Sequence, residues 1–135
     1  MPVAPFALKG IDHIVLRVRS PARLLAFYRE VLGCALERQQ PELGLTQLRA
    51  GDSLIDLVAI DGPLGGAEAE PAPVGRNLDH FCLTLAPFDE AAITRWLAAH
   101  GVAAGVAAAR YGSGGLGRSF YIEDPEGNRI ELKGA

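Results

Sequence analysis

The chain contains one short pattern twice, and this repeat constrains its fold more than any other feature. The first copy is Ile11-Asp12-His13 followed by an apolar run, and the second is Leu78-Asp79-His80 followed by another. His80 lies about half a chain length after His13. Two modules of one design would place the two imidazoles in equivalent positions, facing each other across a pseudo-two-fold axis. Paired neutral imidazoles on rigid strands are a common start of a metal site.

Each copy of the pattern predicts a strand with one apolar face. Residues 11–19 alternate, so that His13 shares a face with Val15 while the opposite face is uniformly apolar. Residues 78–85 repeat this alternation around His80. In both strands the histidine therefore lies opposite the face that packs into the core.

The elements that follow each strand are also predicted to match. In the first half they are a helix from Pro21 to Gly33 and strands at 35–38, 43–48 and 53–60. In the second half they are a helix capped by Asp89 and running to about residue 99, a weak strand at 102–110, a Gly-rich loop at 111–117 and strands at 119–123 and 128–133. Both halves thus read as strand, helix and three further strands.

Length and composition indicate one globular domain over residues 1–135. Module one spans about residues 10–60, a Gly-, Pro- and Ala-rich linker about 61–77, and module two about 78–134. Apolar residues make up 49% and charged residues 21%, as in an ordinary soluble protein. The net charge of −3 predicts no nucleic-acid partner, and no apolar run predicts a membrane span or a signal peptide.

The two cysteines make no disulfide framework. Cys34 and Cys82 are both interpreted as small buried side chains in a reducing compartment. From this we expect a cytoplasmic protein.

A carboxylate stands between two aliphatic residues in the last strand of each half. Asp56 lies between Ile55 and Leu57, and Glu131 occupies the corresponding place in the second half. A carboxylate in such an apolar strand is costly unless something satisfies it. For Asp56 two interpretations stay open, a residue facing solvent or a carboxylate of a site.

The Gly-rich stretch from Gly112 to Gly117 satisfies G-x-G-x-x-G but is not interpreted as a nucleotide-binding loop. This motif needs a helix after the loop, because the helix N-terminus binds the phosphate. Here a strand and the turn at 124–127 follow the loop instead. Either the stretch is a flexible loop, or it closes over a site and brings Arg118 to an anionic substrate.

The four chemically active side chains can converge if the first and last strands of each module are neighbours. Two imidazoles and one or two carboxylates, with water completing the shell, suit a first-row divalent ion. The repeat therefore predicts a metal site formed by His13, His80, Asp56 and Glu131.

At these residues the sequence resembles the vicinal oxygen chelate superfamily, which includes glyoxalase I, antibiotic-resistance thiol transferases, extradiol dioxygenases and bleomycin-binding proteins. The resemblance covers nearly the whole chain and is most specific at residues 117–132, which include Phe120-Tyr121-Ile122 and Asp124-Pro125-Glu126-Gly127. It implies an α+β fold of two βαβββ modules that form a cupped mixed sheet around one metal. It also implies a homodimer, with each site formed by one chain or shared by two.

The resemblance also implies roles for individual residues. His13, His80 and Glu131 match the three shared metal ligands, and Asp56 matches the place where glyoxalase I uses a longer fourth side chain. Glu131 or Asp56 would be the catalytic base, and Arg118, Tyr121 and Tyr111 are candidates for binding a small-molecule substrate. The divalent ion would be Ni, Zn, Co, Mn or Fe.

The expected function is a metal-dependent enzyme of the glyoxalase type. Such a site binds a substrate through two adjacent oxygens and catalyses proton-transfer isomerisation or lyase chemistry. Three alternatives stay open: an Fe(II) dioxygenase of the extradiol type, a thiol transferase acting on an antibiotic, and a non-catalytic protein that binds a small molecule.

Overall fold

The computed structural model describes residues 5, 7, 10–65 and 78–134 of the chain. It confirms the α+β class, with two βαβββ modules. The chain divides into two compact units, Met1–Glu68 and Ala69–Ala135. That both units belong to one 135-residue domain stays a prediction. Part of the predicted linker, residues 66–77, lies outside the described residues.

The first unit contains one four-stranded sheet and one helical segment. Its strands are β1 (His13–Val18), β2 (Ala35–Gln40), β3 (Leu45–Ala50) and β4 (Ser53–Ala59), in the order β1-β4-β3-β2. Helix α1 (Pro21–Ala26) continues as a π-helical turn (Phe27–Val31), and a short 3₁₀ turn (Pro41–Leu43) precedes β3. Because β1 and β4 are parallel, the first and last strands of the unit are neighbours.

The core of the first unit lies between its helical segment and the apolar face of its sheet. The helical segment contacts β3 and β4, and its buried side chains are Leu24, Phe27 and Tyr28. The sheet contributes buried residues from three strands: Leu16, Val18, Leu48, Ile55 and Leu57. Burial of this face stabilises the unit through the hydrophobic effect, at about 1.5–3 kcal/mol for each large aliphatic side chain.

The second unit repeats this arrangement. It contains β5 (Phe81–Leu85), helix α2 (Glu90–Ala99), β6 (Ala108–Gly112), β7 (Gly115–Glu123) and β8 (Arg129–Gly134), with the strand order β5-β8-β7-β6. Asp89 caps α2 as predicted, since its Oδ1 accepts a hydrogen bond from the Ala92 amide at 3.1 Å. The parallel pair β5 and β8 again joins the first and last strands.

The Gly-rich stretch is not the loop that its composition predicts. Residues 111–117 belong instead to a β-hairpin, in which β6 and β7 pair as far as Gly112 and Gly115. The turn needs only Ser113 and Gly114, and Gly115 follows it with a φ of +92°, a conformation that favours glycine.

Two of these glycines make room for a buried lysine. Lys133 is only 4% exposed, and a Cβ at Gly112 or Gly117 would lie 3.2 or 3.1 Å from its side chain. A Cβ at Gly117 would also lie 2.5 Å from the carbonyl oxygen of Gly134. Packing therefore requires glycine at position 117 and leaves little space at position 112, so these two glycines are explained without loop flexibility.

The two cysteines differ in exposure. Cys34 is buried as predicted, but Cys82 is exposed, so the prediction for Cys82 is wrong. Cys82 follows His80 by two residues and lies on the same face of β5, away from the apolar core. Among the described residues no helix is long and apolar enough to span a membrane.

Candidate functional site

In the second unit, His80 and Glu131 form a close pair. The Nε2 atom of His80 lies 3.3 Å from Oε1 of Glu131. Glu131 is 7% exposed, because β8 lies between β5 and β7 in the sheet. A buried carboxylate therefore directs an oxygen at a partly exposed imidazole.

In the first unit, His13 and Asp56 form the matching pair at a longer distance. The Nε2 atom of His13 lies 4.0 Å from Oδ2 of Asp56. Asp56 is 5% exposed, so its interpretation as a residue facing solvent is wrong. Its side chain is one methylene shorter than that of Glu131.

The same strand register produces both pairs. In the parallel ladders, Asp56 is opposite Val15 and Glu131 is opposite Cys82. Val15 and Cys82 each follow the histidine by two residues and so share its face. Each carboxylate is thus the diagonal neighbour of its histidine, and the first and last strands of each module are neighbours as predicted.

An aspartate holds the other ring nitrogen of each histidine. The Nδ1 atoms of His13 and His80 lie 2.7 Å from carboxylate oxygens of Asp12 and Asp79, respectively. An ionised carboxylate only accepts hydrogen bonds, so Nδ1 carries the proton. The other nitrogen, Nε2, lies on the side of Asp56 in His13 and of Glu131 in His80, and in a neutral ring it carries the lone pair that can bind a cation.

The aspartates also shift proton affinities. The hydrogen bond to Asp12 raises the pKa of His13, and the negative charge of Asp56 adds to this effect. In the second unit, the hydrogen bond to His80 lowers the pKa of Asp79, and the positive charge of Arg129 contributes in the same direction.

The carboxylate of the first unit is held by amide donors. Gln47, directly opposite Asp56 in the β3–β4 ladder, donates from Nε2 to both Asp56 oxygens at 3.2 and 3.1 Å. Arg38 donates in turn to the Gln47 side-chain oxygen. The chain Arg38–Gln47–Asp56 explains how a buried carboxylate is tolerated in this apolar strand.

An aromatic ring takes the corresponding place in the second unit. Tyr121 is opposite Glu131 in the β7–β8 ladder and packs edge-on against His80, with ring centroids 5.2 Å apart. Arg110 and Arg129 lie over the Tyr121 ring, with Cζ 4.7 and 4.0 Å from its centroid.

The donor atoms of each pair fit a divalent cation, although one pair is only part of a ligand set. Each unit offers one Nε2 lone pair and one carboxylate, and the aspartate on Nδ1 supplies the outer contact that metal-binding histidines usually make. Within residues 10–65 and 78–134, no group of three or more His, Cys, Asp or Glu side chains is placed to hold a metal ion.

The three predicted substrate-binding residues have different surroundings. Tyr121 lies beside His80 and Glu131. Arg118 instead forms a two-point ion pair with Glu90 at the start of α2, at 3.1 and 3.2 Å, and Tyr111 is 82% exposed in the β6–β7 hairpin. Roles for Arg118 and Tyr111 in substrate binding stay predictions.

Three further residues beside the pairs were not singled out from the sequence: Gln47, Arg110 and Arg129. Arg129 shares the Glu131 face of the predicted last strand, so the alternation of that strand could have identified it. Nothing in the local sequence around Gln47 or Arg110 marks either residue, because their partners lie on other strands.

Comparison with known proteins gives a family and a set of similar folds. The model of the Glyoxalase/Bleomycin resistance protein/Dioxygenase superfamily matches residues 10–132. Integron cassette protein VCH_CASS1 from V. cholerae is 26% identical, with a TM-score of 0.75 and coverage of 96% of this chain and 97% of that one.

Two further similar structures are those of a lyase and of an antibiotic binding protein. Lactoylglutathione lyase from Agrobacterium tumefaciens is 23% identical, with a TM-score of 0.67 and 95% of each chain covered. TnmS3, an antibiotic binding protein from Streptomyces sp. CB03234, is 22% identical, with a TM-score of 0.68. The match covers 96% of this chain and 98% of that one. At these identities the likeness is one of fold.

Proposed function

The chain belongs to the Glyoxalase/Bleomycin resistance protein/Dioxygenase superfamily, and we propose that it is a divalent-metal-dependent enzyme of the glyoxalase type. The enzyme binds a small substrate through two adjacent oxygens and catalyses an isomerisation or lyase reaction by proton transfer. The main support is the repeated pair of a histidine and a buried carboxylate, at 3.3 Å in one unit and 4.0 Å in the other.

In this proposal the metal ligands are His13, His80 and Glu131, from two modules of one chain or of two chains. Asp56 takes the place of a fourth ligand, where its shorter side chain and the two bonds from Gln47 favour an outer position. When bound, the ion polarises a substrate carbonyl and stabilises negative charge that develops on its oxygen. The superfamily resemblance also leads us to propose a homodimer.

The residues of the chain supply the proton transfer. Glu131 or Asp56 removes a proton next to the substrate carbonyl and returns it to the neighbouring carbon. We assign the base first to Glu131, because both oxygens of Asp56 already accept hydrogen bonds from the Gln47 amide. Asp12 and Asp79 keep the imidazoles oriented throughout.

Metal analysis of purified variants tests the ligand set. We expect bound divalent metal in protein purified without chelator and its loss in His13→Ala, His80→Ala and Glu131→Ala. His100→Ala is the matched control, because His100 is exposed and its Nδ1 contacts the Trp96 carbonyl at 2.9 Å. Retention of metal in any of the three folded variants contradicts the role of that residue.

Turnover is tested separately, on a panel of thiohemiacetals of 2-oxoaldehydes with metal-loaded protein. Isomerisation that disappears in Glu131→Gln supports the proposal. A metal-loaded protein that turns over no member of the panel contradicts the glyoxalase-type reaction.

The second candidate is a non-catalytic protein that binds a small molecule. The fold shared with the antibiotic binding protein TnmS3 favours it. It predicts tight ligand binding without turnover and a melting temperature that a chelator does not change. A chelator that lowers the melting temperature supports the metal-dependent enzyme instead.

A further inference from the structure

In the second unit, two arginines pack against one tyrosine on the face of the sheet that lies opposite the apolar core. The guanidinium carbons of Arg129 and Arg110 lie 4.0 and 4.7 Å from the centroid of the Tyr121 ring. Tyr121 itself packs edge-on against His80. Stacking on an aromatic face restrains a guanidinium group and leaves its N–H edge free to bind.

Most of the donors on these arginines have no partner among the described residues. Arg110 uses one nitrogen, Nη1, to donate to the carbonyl and hydroxyl oxygens of Ser119 at 2.6 and 3.0 Å. The Arg129 side chain makes no hydrogen bond within the described part of the chain, and its closest acidic atom is Oδ2 of Asp79 at 3.9 Å. A guanidinium group has five N–H donors, so both side chains keep several for a ligand.

The case for an anion rests on these donors and not on net charge. Lys133 is buried on the same face of β8, and within the described residues its Nζ donates to the carbonyl oxygens of Gly115 and Gly134, at 2.9 and 3.2 Å. Beside Arg110, Arg129 and Lys133 lie three carboxylates: the buried Glu131, the exposed Asp79 at the rim, and Glu123, which is directly opposite Arg129 in the β7–β8 ladder. An anion would therefore be bound through directed N–H···O bonds from the guanidinium groups.

We propose that Arg110 and Arg129, held by Tyr121, form an oxyanion-binding site, and that the substrate of the neighbouring His80–Glu131 pair carries a carboxylate or a phosphate-like group. The proposal deepens the proposed function, on which it rests, by naming the substrate class. Planar guanidinium groups bind both kinds of oxyanion through paired N–H···O bonds.

Titration of metal-free protein with small probes tests this site without relying on the metal. The probes are pyruvate for a carboxylate, inorganic phosphate for a phosphate-like group, and methyl pyruvate as the uncharged match to pyruvate. Binding is followed by NMR through the backbone amides of β7 and β8 and the Nε–H signals of arginine. We expect one or both anions to bind, and methyl pyruvate to bind at least about tenfold more weakly.

The variants Arg110→Gln and Arg129→Gln are each expected to weaken anion binding about tenfold. Arg129→Lys keeps the charge but loses the planar stack, and we expect it to recover only part of the affinity. Arg95→Gln on the exposed surface of α2 is the control for net charge and should bind as the wild type does. The anion that binds identifies the group on the substrate.

Three results would overturn the proposal: neither anion binds, Arg129→Gln and Arg110→Gln bind like the wild type, or Arg95→Gln loses as much affinity as they do. Metal content is measured on the same preparations as purified, before the metal is removed for the titration. A wild-type protein that binds the anion but contains no metal contradicts the proposed metal-dependent function alone, whereas metal without anion binding contradicts only this inference.

Discussion

The Nε2 atom of His80 lies 3.3 Å from Oε1 of Glu131, and the strand register that produces this contact is repeated for His13 and Asp56. In both pairs the carboxylate is buried and the imidazole is partly exposed. The imidazoles are therefore the accessible half of each pair. The surroundings of the two carboxylates differ, since amide donors hold Asp56 and an aromatic ring lies opposite Glu131.

Replacing Asp79 should weaken metal binding without removing a ligand. Asp79→Ala deletes the acceptor that holds Nδ1 of His80, so the ring is free to rotate. We expect divalent-metal affinity to fall about 10- to 100-fold, measured by competition with a fluorescent chelator. Asp52→Ala, in the exposed turn before β4, removes the same charge and should leave affinity unchanged. Equal affinity in the two variants would contradict the role of Asp79.

The pKa of His13 should fall when Asp12 is replaced. The hydrogen bond to Asp12 is the main cause that raises this pKa, and Asp12→Asn removes its charge. An NMR titration of the imidazole in metal-free protein measures the change, and His100 in the same spectrum is the internal control. No downward shift for His13 would show that Asp12 does not set its proton affinity.

The same shift has a defined effect on stability. A folded-state pKa above the unfolded value stabilises the fold below the unfolded pKa of about 6.5. This contribution is lost as the pH rises through the folded pKa of His13. The stability difference between wild type and Asp12→Asn, measured by urea denaturation, should therefore be larger at about pH 5.5 than at about pH 8.5. The opposite order would contradict the interpretation.

Truncating a leucine should be costly on β8 and harmless on β7. Leu132 is 1% exposed and Leu116 is 72% exposed. Leu132→Ala leaves a cavity, and we expect a loss of about 2–5 kcal/mol in the free energy of unfolding. Leu116→Ala is the matched control and should change it by less than about 0.5 kcal/mol. Similar losses in the two variants would mean that Leu132 is not in the core.

Adding a methyl group should distinguish two glycines of the β6–β7 hairpin. A Cβ at Gly117 would lie 2.5 Å from the carbonyl oxygen of Gly134, whereas a Cβ at Gly114 would meet nothing within 4 Å. Gly117→Ala should therefore lower the free energy of unfolding by about 1–3 kcal/mol through overpacking. Gly114→Ala should be close to neutral. A neutral Gly117→Ala would contradict the assigned packing around Lys133.

Much of the fold could be predicted because the signals are local. Alternation in residues 11–19 and 78–85 predicts strands, and Pro21 and Asp89 mark helix starts that the structure confirms. The predicted loop at 111–117 is wrong, because the glycines that pack against Lys133, Gly112 and Gly117, resemble those of a loop. Composition alone does not distinguish these two reasons for a glycine.

The candidate site, like the fold, could be predicted from the sequence only in part. The repeat by itself pointed to His13, Asp56, His80 and Glu131, because each half places a histidine in its first strand and a carboxylate between two aliphatic residues in its last strand. Only the tertiary structure decided that Asp56 is buried under Gln47, that Arg118 pairs with Glu90, and that Arg110 and Arg129 share the ring of Tyr121. These contacts join separate strands, and a side chain gains such partners only when the chain folds and brings distant segments together.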